Sequence, residues 1–282
     1  MILRDKVAII TGGSGGIGCS IVRKFLEEGA RVVVADIEEQ EVRRFAAELG
    51  QKDRVLSGRV DVSDVAEVNG LIENCLKEFG DVDILVNAAG IQGPIGRFVD
   101  VDLNDWIKNL EINLIGTVIC CKTILPIFMK KGDGRIVNFA GGGANFPRPN
   151  FTAYGVAKAA VVRFTETLAE ELRPHRIRIN AVSPGVVKTR MIEDILRAGE
   201  DKAGGEVEQI RGRFQTGFDS PELVAELVCY LVSEESSGLT GKVISAVWDP
   251  WKEWQKNKTM MIDKDMYVLR RIDGRNYLKG KG

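Results

Sequence analysis

The 282-residue chain has a single histidine, His175, and no serine between Ser63 and Ser183. The first scarcity excludes a histidine-rich metal site, so no metal is expected, and a histidine-based catalytic triad would have to use His175 itself. His175 follows Pro174 just ahead of a strand-like run and reads as structural. The second leaves the middle of the chain without a serine hydroxyl, so chemistry placed there must use other groups. The five cysteines, Cys19, Cys75, Cys120, Cys121 and Cys229, form no C-x-x-C and no disulfide framework. They read as reduced, mostly buried thiols of a cytoplasmic protein. Net charge is -1 with no long run of one sign, which argues against nucleic-acid binding through phosphate contacts. No uninterrupted apolar stretch approaches a membrane span, and the start "MILRDKVAII" lacks a basic segment followed by a long apolar run. Neither a membrane nor a signal peptide is therefore expected.

What is present is regular. Short runs rich in Val and Ile, "KVAIIT", "RVVVAD", "RVLSGRVDV", "DILVNAAG", "RIVNFA", "RIRINAVSPG" and "KVISAV", alternate with helical patterns such as "IGCSIVRKFLEEG" and "EEQEVRRFAAELG". Near-continuous apolar runs suit strands buried on both faces. The alternation predicts an α/β fold: a doubly wound, mostly parallel, seven-stranded sheet with helices on both faces. The length suits one such domain, residues 1–247, followed by an extension, residues 248–282. Ligands in this architecture sit at the carboxyl ends of the strands.

The first strand runs into "TGGSGGIG". Gly13, Gly15 and Gly18 match G-x-G-x-x-G, and Gly12, Gly16 and Gly18 match T-G-x-x-x-G-x-G. Glycines let backbone approach a pyrophosphate, and a helix N-terminus offers it free N–H groups. Gly12, Ser14, Gly15, Gly16, Ile17 and Gly18 are thus candidate cofactor residues. Asp36 ends the second strand, where a carboxylate accepts from both adenosine ribose hydroxyls and repels a 2′-phosphate. Ile37, Glu38 and Glu39 follow it, and the turn carries no cation, so NAD is expected over NADP. Asp61 and Val62 close the third strand, within reach of adenine. Asn87, Ala88, Ala89 and Gly90 close the fourth; the small residues let the chain pass close to the cofactor, and Asn87 can bridge neighbouring strand ends.

Tyr154 and Lys158 lie four apart in an amphipathic pattern and so share a helical face. A nearby ammonium favours the phenolate, so the spacing predicts a tyrosine tuned down toward neutral pH, able to pass a proton to a carbonyl or take one from an alcohol. Lys158 is also placed to hold the nicotinamide ribose.

With these pieces and the asparagine of "LEINLIGT" in one chain, the sequence resembles the compact branch of the short-chain dehydrogenase/reductase family. The resemblance covers about Arg4 to Val247 and rests on "TGGSGGIG", Asp36, "NAAG", Asn113, Tyr154, Lys158 and "SPG" with Val187 and Thr189. It implies hydride transfer between nicotinamide and a carbonyl/secondary-alcohol substrate, with Tyr154 as acid/base and Lys158 assisting. It implies that Asn113 places a water in a proton relay and that Pro184, Gly185, Val187 and Thr189 contact the nicotinamide amide. It also implies a homodimer or homotetramer built on two long helices, about Leu110–Lys130 and Thr152–Arg173. "PRPNFTAY" and "GKVISAVWDPW" look like bacterial relatives of polysaccharide or nucleotide-sugar metabolism, which implies a sugar or sugar derivative as substrate.

One position departs from the family pattern. Thirteen residues before Tyr154, where the family has a serine that hydrogen-bonds the reacting oxygen, stands Gly141. Losing such a donor costs about 2.7–4 kcal/mol. Asn145, Thr152 or the backbone N–H groups of Gly141–Gly143 are candidate substitutes; a substrate group is another. The alternative is a protein that binds NAD but turns over little, acting as a redox sensor or scaffold. Residues 190–218, with five glycines, read as a lid whose Arg190, Arg197, Arg211 and Arg213 either engage an anionic substrate or form a solvated face. In the extension, Trp248, Trp251 and Trp254 are expected to project on one side and pack on the domain or a neighbouring subunit. "MYVLRRIDGRNYL" is a hairpin candidate turning at Asp273-Gly274.

Overall fold

The computed structural model of the chain describes residues 1–254 and 266–271. Seven strands form one sheet: β1 Val7–Thr11, β2 Arg31–Asp36, β3 Val55–Arg59, β4 Ile84–Asn87, β5 Asp133–Phe139, β6 Arg176–Ser183 and β7 Val243–Ser245. Their order is β3-β2-β1-β4-β5-β6-β7, and every adjacent pair is parallel. The mostly parallel sheet expected is thus wholly parallel. β1 is buried at all five residues, as a central strand covered on both faces must be.

Helices cover the two faces. On one lie α1 Gly16–Glu27 and α2 Glu39–Leu49, joined by the distant α9 Pro221–Val232; Phe25 and Leu26 of α1 share a core with Val224 and Val228 of α9. On the other lie α3 Val65–Phe79, α5 Gly116–Lys131 and α6 Thr152–Glu171, where Leu71, Cys121, Ile124 and Phe128 are buried together. α3 starts where the Asp64 side chain accepts from the N–H groups of Ala66 and Glu67, a local cap that the sequence carries in plain form.

Before α5 comes α4, Leu103–Leu110, and a π turn, Glu111–Ile115, links the two into one continuous run. That run, Leu103–Lys131, is long and apolar enough to cross a membrane by length and composition. The sequence pattern hides this because charged residues interrupt the run without ending the helix. Cys121, Ile124 and Phe128 tie it into the core, while Ile107, Ile115 and Met129 remain exposed.

The segment expected to form a lid, residues 190–218, holds two helices, α7 Arg190–Ala203 and α8 Glu206–Thr216. Gly199 breaks α7 with φ 74° and ψ 174°. In the extension only two of the three tryptophans pack: Trp251 and Trp254 join the α1/α9 core, and Trp248 is exposed. The Trp251 indole donates to Ala246 O (3.0 Å), which fixes the chain's turn away from β7 and leaves Trp248 outside it. The Tyr267 carbonyl accepts from Val243 N (2.8 Å), covering part of the open edge of β7. The Asp273-Gly274 turn lies outside the described residues; Met266–Arg271 are not a strand.

Candidate active site

The sheet's connections reverse between β1 and β4, and a cavity of about 810 Å³ opens at the carboxyl ends there. One wall is the glycine turn. Gly12 has φ 65°, and a Cβ on it would lie 2.7 Å from Ala89 N and 2.8 Å from Ala88 O. A Cβ on Gly18 would lie 2.1 Å from Gly12 O. The turn is therefore folded onto "NAAG" as tightly as backbone allows. α1 begins at Gly16 with no side-chain cap and no acidic residue in its first turn, and Ser14, Gly15, Gly16, Ile17 and Gly18 line the cavity. Free N–H groups and positive helix dipole with nothing to neutralise them suit a pyrophosphate.

At the next wall, Asp36 accepts from Ser14 Oγ (2.7 Å), Ser14 N (3.2 Å) and Ile37 N (2.8 Å). The carboxylate is already aimed by the turn. Asp61 accepts from Ser63 Oγ (2.6 Å) and N (2.9 Å). The Ser63 hydroxyl, more than any other group, holds its carboxyl below the ordinary range. Ile37, Asp61 and Val62 all line the cavity, as do Ala88, Ala89 and Gly90. Asn87 sits one step behind: it donates to Asn138 Oδ1 (2.9 Å) across β4 and β5, and its own Oδ1 is buried without a partner. Thr189 reaches over from the other side; a Cβ on Gly16 would be 3.1 Å from its methyl. Pro184, Gly185 and Val187 do not line the cavity. Their loop is held by Asp219, which accepts from Val186 N (2.7 Å) and would lie 2.5 Å from a Cβ on Gly185. Asp219 is a structural anchor that sequence reading missed, since it lies more than thirty residues away.

The cavity closes at Gly90, Ile91 and Met191, and neither Tyr154 nor Lys158 lines it. Lys158 stands just behind: a Cβ on Gly90 would be 3.5 Å from Lys158 Nζ, 2.5 Å from Asn113 Oδ1 and 3.6 Å from the Met191 methyl. The π turn brings Asn113 here, an irregularity of the sort that gathers at functional sites. Its amide nitrogen donates to Ile91 O and Asn109 Oδ1 (2.9 Å each), and its oxygen accepts from Ile91 N (3.2 Å). With both N–H bonds committed, the side chain pins the loop at Ile91 against the helix.

Tyr154 and Lys158 share the buried face of α6, with the ammonium 5.6 Å from the phenol ring centroid. Tyr154 is 7% exposed, packed with Phe151 under Ile192, Ile195, Val207 and Ile210 of the lid. Burial works against the downward tuning that the spacing predicts. Burial pushes the Tyr154 phenol up, not down, and pushes Lys158 down to about 8. For the phenol the loss of water outweighs the Arg148 guanidinium, which alone pulls the other way; the Lys158 Nζ donates to Phe139 O at 3.1 Å.

Gly141 has φ 83°, and a Cβ on it would lie 2.6 Å from the Tyr154 hydroxyl. The phenol occupies the space a serine side chain would need. Of the candidate substitute donors, Asn145 is exposed on the loop, and Thr152 Oγ1 accepts from Trp106 Nε1 (3.1 Å). Arg148, which sequence reading passed over, does reach the tyrosine: its guanidinium is 5.5 Å from the Tyr154 ring and 4.0 Å from that of Phe151. His175 lies at the opposite end of the sheet, before β6, away from all of this.

The model of one family, described as enoyl-(acyl carrier protein) reductase, matches residues 12–246. Oxidoreductase UcpA of Salmonella typhimurium is 37% identical over 243 residues, spanning 85% of this chain and 92% of its own. The 3-oxoacyl-(acyl-carrier-protein) reductase FabG of Thermotoga maritima is 33% identical over 249 residues, 86% and 97% of the two chains. Among solved structures, NAD+-bound xylitol dehydrogenase superposes with a TM-score of 0.80 at 27% identity, over 87% of this chain and 98% of that one.

Proposed function

This chain belongs to the short-chain dehydrogenase/reductase family of oxidoreductases, and we propose that it moves a hydride between NAD and a carbonyl/secondary-alcohol pair, with sugars and their derivatives among the candidates. The observation that carries the reading is the cavity at the β1/β4 reversal: a glycine turn without a cap, a carboxylate aimed at its far end, and Lys158 behind its closed end. Gly12, Ser14, Gly15, Gly16, Ile17 and Gly18 hold the pyrophosphate; Asp36 and Ile37 hold the adenosine ribose; Asp61 and Val62 meet the adenine. Ala88, Ala89, Gly90 and Thr189 border the nicotinamide, and Lys158 steadies its ribose. When bound, the cofactor supplies or accepts the hydride. In the oxidative direction Tyr154 takes the proton of the alcohol; in the reductive direction it gives that proton to the carbonyl oxygen. The lid lifts for substrate entry, and returning water relieves the burial that holds the phenol up. The preference for NAD rests on Asp36, whose bonds to Ser14 leave no room for a 2′-phosphate without repulsion.

Titration with NADH and NADPH, run beside turnover on ketone and alcohol panels, tests this. NADH is expected to bind more tightly than NADPH; failure of both to bind ends the proposal. A second reading, a redox sensor or scaffold that binds NAD with little turnover, is favoured by one observation, the burial of Tyr154 under the lid. It predicts tight NADH binding with no turnover on any panel. We further propose a cytoplasmic homodimer or homotetramer that buries exposed Ile107, Ile115, Met129 and Val156 of the two long helices. Sedimentation of the full chain checks it.

A further inference from the structure

The arginines that the sequence places in the lid are engaged at the surface. Arg190 meets Glu38, Arg197 meets Asp194, Arg211 meets Glu200 and Arg213 meets Asp219. Besides Lys158, a second cation stands beside the tyrosine: Arg148, from the loop between β5 and α6. Its side chain is 14% exposed and lies flat over Phe151. It meets Glu206 fork to fork: Nε to Oε1 and Nη2 to Oε2, both 2.5 Å. A planar guanidinium enclosed by an aromatic ring and presenting two parallel donors is a carboxylate site.

The carboxylate now in that site belongs to the lid, because Glu206 is the first residue of α8. The same lid covers Tyr154 with Ile192, Ile195, Val207 and Ile210. Any substrate that reaches the phenol must lift the element carrying Glu206, whose segment is bounded by Gly199, Gly204 and Gly217, all at positive φ. Lifting it strips an enclosed arginine of its anion, which is a large desolvation cost. A substrate that brings its own carboxylate removes that cost, and a neutral one does not.

We propose that Arg148 is a specificity-determining residue that reads a carboxylate on the substrate, with Glu206 the internal carboxylate that keeps its place when the lid is down. This rests on the oxidoreductase reading above and narrows the substrate to hydroxy- and oxo-carboxylic acids, acidic sugars among them.

The test is calorimetry on the NADH complex of the full chain, using a ladder of oxo carboxylic acids of increasing length, each beside its primary amide. At least one acid is expected to bind about 10- to 100-fold more tightly than its amide, the range of a charged hydrogen-bonded pair. Arg148→Met is expected to erase that difference. Glu206→Gln, which weakens the internal competitor, is expected to tighten the acids. Acids and amides bound alike, no acid bound, or a difference that survives Arg148→Met overturns the proposal. If Arg148→Met does not fold, Glu206→Gln decides, and unchanged or weaker acid binding counts against it. Titration of each variant with NADH alone reports whether the cofactor cleft is intact. If the unmodified chain binds no NADH, it is the oxidoreductase reading that falls, and this proposal with it.

Discussion

The two halves of the site are built by different physics. The cofactor half is backbone folded on backbone: Gly12 against Ala88 and Ala89, Gly18 against Gly12, a bare helix start, and one carboxylate held by Ser14. It stands open. The half proposed to take the substrate is side chain on side chain: Tyr154 and Phe151 beneath Ile192, Ile195, Val207 and Ile210, with Arg148 latched to Glu206. It stands closed. A cradle made of main chain has little freedom to rearrange, whereas a cover held by a few apolar contacts and the ion pairs Arg148–Glu206, Arg190–Glu38 and Arg213–Asp219, and flanked by glycines at positive φ, is drawn from the low-stability end of the molecule. Binding of cofactor and access of substrate are therefore separable properties here.

The strongest way to break that comparison is to damage each half alone. Tyr154→Phe removes only the proton carrier and is expected to lower turnover by about 10²–10⁴-fold while NADH affinity stays near the unmodified value. Gly12→Ala does the reverse. It puts a Cβ 2.7 Å from Ala89 N at φ 65°, so the turn must open or strain. NADH affinity is expected to collapse, and urea melts to show a loss of about 2–4 kcal/mol from left-handed strain and overpacking together. If Tyr154→Phe loses NADH affinity as well, the two halves are one.

The Gly141→Ser variant sharpens the comparison within the substrate half. Family pattern alone says that restoring the serine restores a donor. The structure says otherwise: φ is 83°, and the new Cβ meets the Tyr154 hydroxyl at 2.6 Å. Left-handed backbone costs a non-glycine residue about 1–2 kcal/mol, and the phenol has to move. Turnover is expected to fall by about tenfold, the rate equivalent of about 1.4 kcal/mol. Steady-state kinetics on any substrate found for the unmodified chain checks this; a rise in turnover means that the loop rearranges freely and that the phenol's place beside Gly141 is not fixed.

How much was legible follows from the same division. All seven strands were readable, six because buried parallel strands leave a continuous apolar signature, and β3, an edge strand only partly buried, from its place in the alternation. Gly12, Ser14 to Gly18, Asp36, and Ala88 to Gly90 were readable as cavity-lining because each lies where its own strand ends. The pairing of Arg148 with Glu206 was not, because it joins residues 58 apart through the way the lid folds back. Nor was the direction of the Tyr154 shift. An i, i+4 spacing reveals the neighbouring ammonium, but not that residues from 192 to 210 close over the phenol and remove its water. Of the continuous helical run Leu103–Lys131 the long helix from about Leu110 was expected, but not that the π turn at Glu111–Ile115 joins it to Leu103–Leu110.

The smallest expected effect probes how dry the closed half is. Burial holds Lys158 at about 8, against an ordinary 10.5. A base whose folded pKa lies below its unfolded one makes folding pay for the charge at every pH below about 8. Stability then rises with pH between about 8 and 10.5, where the unfolded chain binds more protons. That interval of about 2.5 units corresponds to at most about 3 kcal/mol, and Lys158→Met also gives up the bond to Phe139 O, about 1 kcal/mol. Lys158→Met is therefore expected to gain about 1–2 kcal/mol in urea melts near neutral pH, and to lose that gain as pH climbs through the interval. A variant less stable than the unmodified chain at neutral pH, with no such pH trend, would mean that the ammonium is hydrated and that the substrate half is as open as the cofactor half.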